Sequence, residues 1–398
     1  MRLVATSDTM KHELERSTGD FSLKKSSGSR LLRILHVGKF YPPHMGGIET
    51  HLQTLCGELV KSFDVRVVVA NDGPKWSDEC VGGVPVHRVP TRLTFASTPL
   101  CPAMVGQIRR SDADIVHLHL PNPMAVLAYL ASGHRGRVVV TYHSDTVRQR
   151  LLGAMFEPLL HQVLRRSSAI IVTSPNYLQT SAVLARHRDR CHVIPYGIRL
   201  EQFEHRDDAA VAALTRQYGH RLVISVGRLV YYKGFEYLIR AMSQVQGKLL
   251  IVGDGPLRRD LIQLSRTLGI EDKVIFVGEI QNDAVTPYYH ASDVFALASV
   301  ARSEAFCIVQ IEAMAARLPV VNTNLDSGVP FVSLHAQTGL TVLPQDSGAL
   351  AKAINTLLDD PQLRRQLGAA GHLRARQEFH LDVMVGRISA LYEAVMSD

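Results

Sequence analysis

Short apolar runs of five to seven residues alternate with longer helix-length stretches, and the whole alternation occurs twice. The first series holds "RILHVG" (33–38), "DVRVVVA" (64–70), "DIVHLH" (114–119), "RVVVTYH" (137–143), "AIIVTS" (169–174) and "CHVIP" (191–195). The second holds "RLVISVG" (221–227), "GKLLIVG" (247–253), "KVIFVG" (273–278), "VFALAS" (294–299) and "LPVVNT" (318–323). Helical stretches are expected at 49–62 and 147–166, then at 235–245, 256–268, 283–291 and 306–316. Strands alternating with helices are the mark of parallel βαβ units. A Pro- and Gly-marked segment, "IPYGIRLEQFEH" (194–205), separates the two series and suits a linker. The expected fold is α/β: two Rossmann-like, doubly wound domains facing each other across a cleft, with ligands beyond the carboxyl ends of the strands. The expected division is a polar, disordered tail at 1–31, a first domain at 32–198, a second at 199–380 and a closing segment at 381–398.

A chain of 398 residues can bury two cores of this kind. Residues 1–200 carry 25 Lys and Arg against 15 Asp and Glu, and residues 201–398 carry 19 against 22. The basic first half suggests an anionic surface or substrate. No basic helix or aromatic-basic sheet motif supports nucleic acid as that partner. The five cysteines are scattered without zinc or CxxC spacing, which points to a reducing cytoplasm. No apolar run approaches the ~20 residues needed to span a bilayer. The first thirty residues lack the apolar core of a signal peptide.

Several stretches could carry chemistry. In "GKFYPPHMGGIETHL" (38–52), Gly46 and Gly47 precede a helix and would let backbone N–H groups approach a phosphate; a plain turn is the alternative. In "VGRLVYYKGF" (226–235), Arg228 and Lys233 sit at a strand's carboxyl end, a good diphosphate clamp unless they are solvated. "IVGDGPLRRDL" (251–261) brings Gly253 and Asp254 to a similar loop, although Arg258 stands where a dinucleotide fingerprint needs a third glycine. Asp112 and Asp114 imitate a metal-binding DxD, but they precede a strand, away from the ligand edge. His117, His119, His134 and His143 lack zinc spacing, and only His143, ending its strand in "TYHSD", is a candidate ligand contact. "SVARSEAFCIVQIEAMAARLPVV" (299–321) places Glu304 before, and Glu312 inside, an apolar helical run. If the helix carried both, two turns would separate them by roughly 12 Å at about 1.5 Å per residue, the span from a sugar to a ribose. The alternative is a buried glutamate paired with an arginine, beside an exposed one.

Together, the glycine-pair loop, "VGRLVYYKG", "VGDGPL", "VGEI" and the E-x7-E stretch resemble, in order, the retaining GT-B glycosyltransferases of family 4 over about residues 32–395. The resemblance implies catalytic roles for Arg228, Lys233, Glu304 and His143. Arg228 and Lys233 would neutralise the departing diphosphate, Glu304 would contact donor-sugar hydroxyls, and His143 would lie near the sugar's reacting face. Glu312 would accept from the ribose. The amides of Phe306, Cys307 and Ile308 would hold the diphosphate at a helix start, Gly47 would let the first domain's loop reach it, and Glu279 and Ile280 would border the base. Cys307 is a departure, because many members carry glycine there. "EFHLDVMVGRISALYEAVM" (378–396) resembles the family's terminal helix, which crosses back to the first domain.

The implied activity is metal-free, cofactor-free transfer of a hexose from a nucleotide-sugar, best GDP-mannose and next a UDP-sugar, to a lipid-linked or glycan acceptor in lipopolysaccharide or exopolysaccharide synthesis. A cytoplasmic enzyme is expected, and peripheral inner-membrane association is one reading of "TVRQRLLGAMFEPLLHQVLRR" (146–166), which mixes arginines with apolar residues as membrane-surface helices do; an ordinary packed helix with charged ends is the favoured alternative. The rivals are an epimerase or phosphorylase on the same fold and a degenerate nucleotide-sugar-binding subunit.

Overall fold

The computed structural model describes residues 30–44, 46–95, 98–145, 150–280 and 284–397, with the side chains of 150–155 left aside. The expected tail before residue 30, and Arg148 of the basic helical stretch, lie outside the described residues. The strands are β1 (Arg33–Val37), β2 (Asp64–Ala70), β3 (Ser77–Val81), β4 (Val84–Val89), β5 (Leu93–Phe95), β6 (Thr98–Leu100), β7 (Ile115–Leu120), β8 (Arg137–Tyr142), β9 (Ala169–Val172) and β10 (Cys191–Val193) in the first half. The second half supplies β11 (Leu222–Val226), β12 (Lys248–Val252), β13 (Val274–Gly278), β14 (Val294–Ala296), β15 (Val320–Thr323) and β16 (Gly339–Val342).

Two sheets result. One runs β10-β9-β8-β7-β1-β2-β4-β3 and the other β13-β12-β11-β14-β15-β16. Apart from antiparallel β3 at an edge, neighbours are parallel. The strand order reverses between β1 and β7 in the first sheet and between β11 and β14 in the second, so each opens a crevice at its carboxyl ends.

The period-2 alternation of the strands feeds two cores per sheet. Leu35, Val37 and Val68 face one cluster, and Ile34, Val67 and Val69 the other. In the second sheet, Ile224, Leu250 and Val252 face one side, and Val223, Leu249 and Ile251 the opposite side. Both faces are covered, which is why these strands read as continuous apolar runs.

The βαβ reading contains no strand between 71 and 113, yet the structure places two hairpins there. β3 and β4 are joined by Gly82 and Gly83, both with positive φ, a two-residue turn that only glycine adopts easily. β3 is too polar to stand out as a strand, and β5 is exposed along its length. β16 also falls outside the expected series.

The last helix, Leu381–Ser397, buries Leu381, Met384, Ile388, Leu391, Tyr392 and Val395 at helical spacing. These residues share a core cluster with Leu52, Leu55 and Leu59 of the helix Gly47–Leu59 and with the strands of the first sheet. The chain's last helix is thus part of the first half's core. Among the described residues, no helix is long and apolar enough to cross a membrane. Ile388 is 1% exposed, so Ile388→Ala should cost about 3 kcal/mol through lost contacts and a cavity, read as a lower urea midpoint.

Candidate active site

A cavity of about 510 Å³ opens at the carboxyl ends of β11, β12 and β13. Val226, Gly227, Arg228, Val252, Gly253, Asp254 and Gly255 line it, with Glu279, Ile280, Val285, Val309 and Glu312. Its walls need glycine. At Gly253 (φ +128) a Cβ would lie 2.3 Å from the Gly227 carbonyl oxygen, and at Gly234 (φ +65) it would lie 2.0 Å from that of Ala298. The glycines of "VGR", "KG" and "VGDG" therefore allow these loops to touch backbone to backbone.

The structure brings Lys233 and Glu304 together beside this cavity. Lys233 closes a single 3-10 turn, Tyr231–Lys233, and its Nζ lies 2.7 Å from Glu304 Oε2 and 3.8 Å from Cys307 Sγ. Ser299, just beyond β14, donates to the same carboxylate oxygen at 3.1 Å. Burial opposes the Lys233 charge, but the Cys307 sulfur and the Glu304 carboxylate outweigh it and hold the ammonium above the usual lysine range. Arg228 is exposed, and its guanidinium has no ion-pair partner among the described residues.

The E-x7-E stretch departs from its expected form. The helix spans Val309–Ala315 only, so Phe306, Cys307 and Ile308 belong to the preceding loop, and Glu304 is not helical. The two-turn rise therefore does not describe the separation of the glutamates. The cause is local: Cys307 has φ +68, which a right-handed helix cannot contain. Glycine at this position would meet that φ without strain. The burial is also the reverse of the expected pattern. Glu304 is the buried carboxylate and pairs with lysine, whereas Glu312 is half-buried and faces the cavity. Tyr289 donates to Glu312 Oε2 at 2.7 Å. Burial pushes the Glu312 carboxyl up, and the Tyr289 bond and Lys233 oppose the rise. The amides of Phe306, Cys307 and Ile308 make no hydrogen bond among the described residues, so loop N–H groups, more than a seven-residue helix's dipole, are available to an anion.

Residues of the first half approach from the other side. Gly46 caps the helix Gly47–Leu59 in an extended conformation, and a Cβ on Gly47 would meet nothing within 4 Å among the described residues. Neither borders the cavity. His143 follows β8, is 2% exposed, and has both ring nitrogens engaged, Nε2 with His119 at 3.1 Å and Nδ1 with the Tyr196 hydroxyl. Tyr196 packs edge-on against Phe306, with ring centroids 5.1 Å apart, which connects His143 to the Cys307 loop. Asp112 and Asp114 pair with Arg33 on the far side of the first sheet. His134 is structural: it accepts from the Gly136 amide at 3.0 Å.

Sequence reasoning missed four contributors. Tyr289 and Tyr196 are two. The others are Arg302, which reaches the Thr180 carbonyl at 2.7 Å, and Asp145, which meets Arg302 at 3.1 Å. The Arg302 guanidinium also lies 4.7 Å from the Tyr177 ring centroid. Arg302 and Asp145 stand two residues from Glu304 and His143 respectively, and that adjacency was the available signal.

The largest surprise is a cluster of buried histidines beneath the cleft. His36, His51, His117, His119 and His143 come from four segments, with His117 and His119 both on β7, and meet in space. Burial, reinforced by neighbouring rings, lowers His36 to about 3; burial alone lowers His51 to about 4; and the other three fall well below the usual histidine value.

The description "Glycosyl transferases group 1" matches residues 208–374, and "Glycosyltransferase Family 4" matches residues 45–202. The D-rhamnosyltransferase WbpZ of Pseudomonas aeruginosa is 31% identical over 352 residues, covering 87% of this chain and 92% of that one. The O-antigen chain mannosyltransferase C of Escherichia coli is 29% identical, covering 92% of this chain and 99% of the relative. Among solved structures, the sucrose-phosphate synthase of Thermosynechococcus elongatus superposes with a TM-score of 0.77 at 25% identity, covering 92% of this chain and 99% of its own.

Two outcomes follow from this geometry. The histidines are neutral in the folded protein and protonate near 6.5 when unfolded, so their contribution is complete above pH 6.5 and is lost as pH falls toward the folded values. At pH 5, His36 and His51 should each cost about 2 kcal/mol, a large share of a typical stability, read as a fall in urea midpoint between pH 7.5 and 5. At Cys307, glycine should be tolerated, whereas Cys307→Val should destabilise by about 2 kcal/mol, because a β-branched side chain resists positive φ; thermal melts of the two variants compare them.

Proposed function

Since this chain belongs to the GT-B glycosyltransferases of family 4 and is a hexosyltransferase, we propose that it transfers mannose from GDP-mannose to a lipid-linked or glycan acceptor in cell-surface polysaccharide synthesis, retaining the anomeric configuration. The observation that carries the reading is the buried Lys233–Glu304 pair beside three unbonded loop amides at the edge of a cavity sized for a nucleotide. The diphosphate occupies the space between Arg228, Lys233 and the amides of Phe306, Cys307 and Ile308. Glu312, with one oxygen held by Tyr289, offers the other to a ribose hydroxyl. The base lies along Glu279 and Ile280, at the cavity's β13 side.

In the transfer, the bond from the anomeric carbon to the leaving phosphate oxygen breaks and a bond to the acceptor oxygen forms on the same face. The acceptor's proton passes to the leaving phosphate. Negative charge accumulates on the diphosphate, where Arg228, Lys233 and the amides stabilise it without reorganising. Glu304 holds Lys233 in place and shares its carboxylate with the sugar's hydroxyls. This arrangement uses no metal and no cofactor.

The similar O-antigen chain mannosyltransferase supports the choice of sugar. Leu93, Phe95 and Trp76 are large exposed apolar residues in the basic half of the chain, which supports a lipid-linked acceptor and a peripheral position on the cytoplasmic face of the membrane.

Calorimetric titration with GDP, UDP, ADP and their sugar conjugates should show GDP binding tightest. Lys233→Ala and Glu312→Ala should each lower kcat/KM about 10²- to 10³-fold; Glu312→Ala should keep a near-native melt, whereas Lys233→Ala should melt lower because it leaves Glu304 buried without its partner. Preference for UDP would replace the donor, and full transfer by both variants would remove the assignment.

A further inference from the structure

The buried histidines form a hydrogen-bonded row, and its connectivity is specific. His36 on β1 stands opposite His117 on β7, and His119 stands opposite Thr141 on β8. Starting at the cleft, the Tyr196 hydroxyl meets His143 Nδ1, and His143 Nε2 meets His119 Nδ1 at 3.1 Å. His119 Nε2 meets His36 Nδ1 at 3.0 Å, and His36 Nε2 lies 3.5 Å from the Tyr392 hydroxyl. The same hydroxyl meets His117 Nδ1 at 2.5 Å, and His117 Nε2 meets Thr141 Oγ1 at 2.7 Å. All four rings are at most 2% exposed. His51 packs beside the row, against His119, His143 and Tyr196, and its buried Nε2 has no hydrogen-bond partner among the described residues.

A neutral imidazole has one N–H and one lone pair. Every ring-to-ring contact here joins a δ nitrogen to an ε nitrogen, so the rings cannot choose their tautomers independently. If His143 carries its proton on Nε2, His119 accepts on Nδ1 and must itself donate from Nε2, and His36 follows. The Tyr392 oxygen then accepts from His36 and its proton goes to His117 Nδ1, which leaves the His117 proton on Nε2 for Thr141. The reverse polarity places all four protons on Nδ1. Among His143, His119 and His36 any mixture sets two lone pairs or two N–H groups face to face at about 3 Å between buried rings, and at the Tyr392 hydroxyl, which could accept from both His36 and His117, it leaves the phenol proton with neither ring to receive it.

We propose that Tyr392, His36, His117 and His119 are positioning residues which, as one hydrogen-bonded unit, hold His143 in a single tautomer and ring orientation at the cleft wall. Tyr392 belongs to the helix Leu381–Ser397, so the docking of that helix on the first sheet is read at His143. His36, His117 and His119 also offer nitrogens within 4.8 Å of one another, as a metal site would. The His36 and His119 nitrogens, however, are 3.0 Å apart and bonded to each other. Two metal bonds of about 2.0 Å at a tetrahedral angle would need roughly 3.3 Å and lone pairs turned toward a common point. Both His117 nitrogens are also in use. The spacing suits shared protons. The consequence for catalysis rests on the donor-site reading above, but the tautomer coupling does not.

Full-length protein labelled with 15N in histidine, examined at pH 7.5 by long-range proton–nitrogen correlation, reports the tautomer of each ring; single His→Gln variants assign the signals. All four rings should share one tautomer. Tyr392→Phe removes one hydroxyl and should move the signals of His36, His119 and His143 together, with kcat reduced several-fold and donor KM little changed. Thr141→Val, a same-shape change at the far end, should move His117 and then the others, and it carries the test if Tyr392→Phe does not fold. Opposite tautomers on neighbouring rings, His143 signals unmoved by either variant, or one equivalent of metal in the purified protein would each overturn the proposal. Nucleotide titration of the same sample separates the two readings: uniform tautomers without GDP or UDP binding would remove the donor site and leave the row standing.

Discussion

A parallel sheet wound both ways from a central strand must leave a crevice where the winding reverses, and this chain places its chemistry at two such crevices. In the second sheet, the reversal between β11 and β14 sets Arg228 and Lys233 after one strand and Ser299 after the other. In the first, the reversal between β1 and β7 sets His36 beside His117. Neither arrangement needs a long excursion of the chain: in the second sheet the carboxyl ends of neighbouring parallel strands deliver their next residues to the same place, and in the first the register of the paired strands sets the two histidines side by side.

The Lys233–Glu304 pair shows what the second crevice does with that proximity. Two charges so nearly enclosed gain little net stability from each other, since desolvation consumes most of their attraction. What the pair supplies is a lysine already fixed in place and charged. On the donor-site reading proposed above, an arriving diphosphate would meet cations and amide donors that need no rearrangement, which is where electrostatic stabilisation in an active site is strongest. The tight loops around the pair serve the same end. Gly253 and Gly234 admit the close backbone approach that keeps Lys233 from relaxing toward solvent.

Much of this was legible in the residues alone. The two βαβ series survive nearly strand for strand, because strands buried on both faces are continuous apolar runs. Gly253, Asp254, Glu279, Ile280, Arg228 and Glu312 all line one cavity. The helix after Glu304 was misjudged by three residues, since apolar periodicity cannot register the positive φ of Cys307. β3 escaped notice because an edge strand with a polar sequence carries no apolar period, although the Gly82-Gly83 turn was there to be read. The histidine row was invisible for a different reason. Its members lie up to 107 residues apart along the chain, and only the register of β1, β7 and β8 brings them together.

The helix Leu381–Ser397 also bears on how the protein is made. It completes the core on one face of the first sheet, yet it is synthesised roughly 200 residues after β9, a delay on the order of 10–40 s at ~5–20 residues per second. Throughout that interval, Leu52, Leu55, Val67 and their neighbours present an uncovered apolar face while the second half emerges and folds. The first half is thus the earlier to be translated and the later to be finished, and during synthesis it is the part of the molecule most in need of a chaperone's cover.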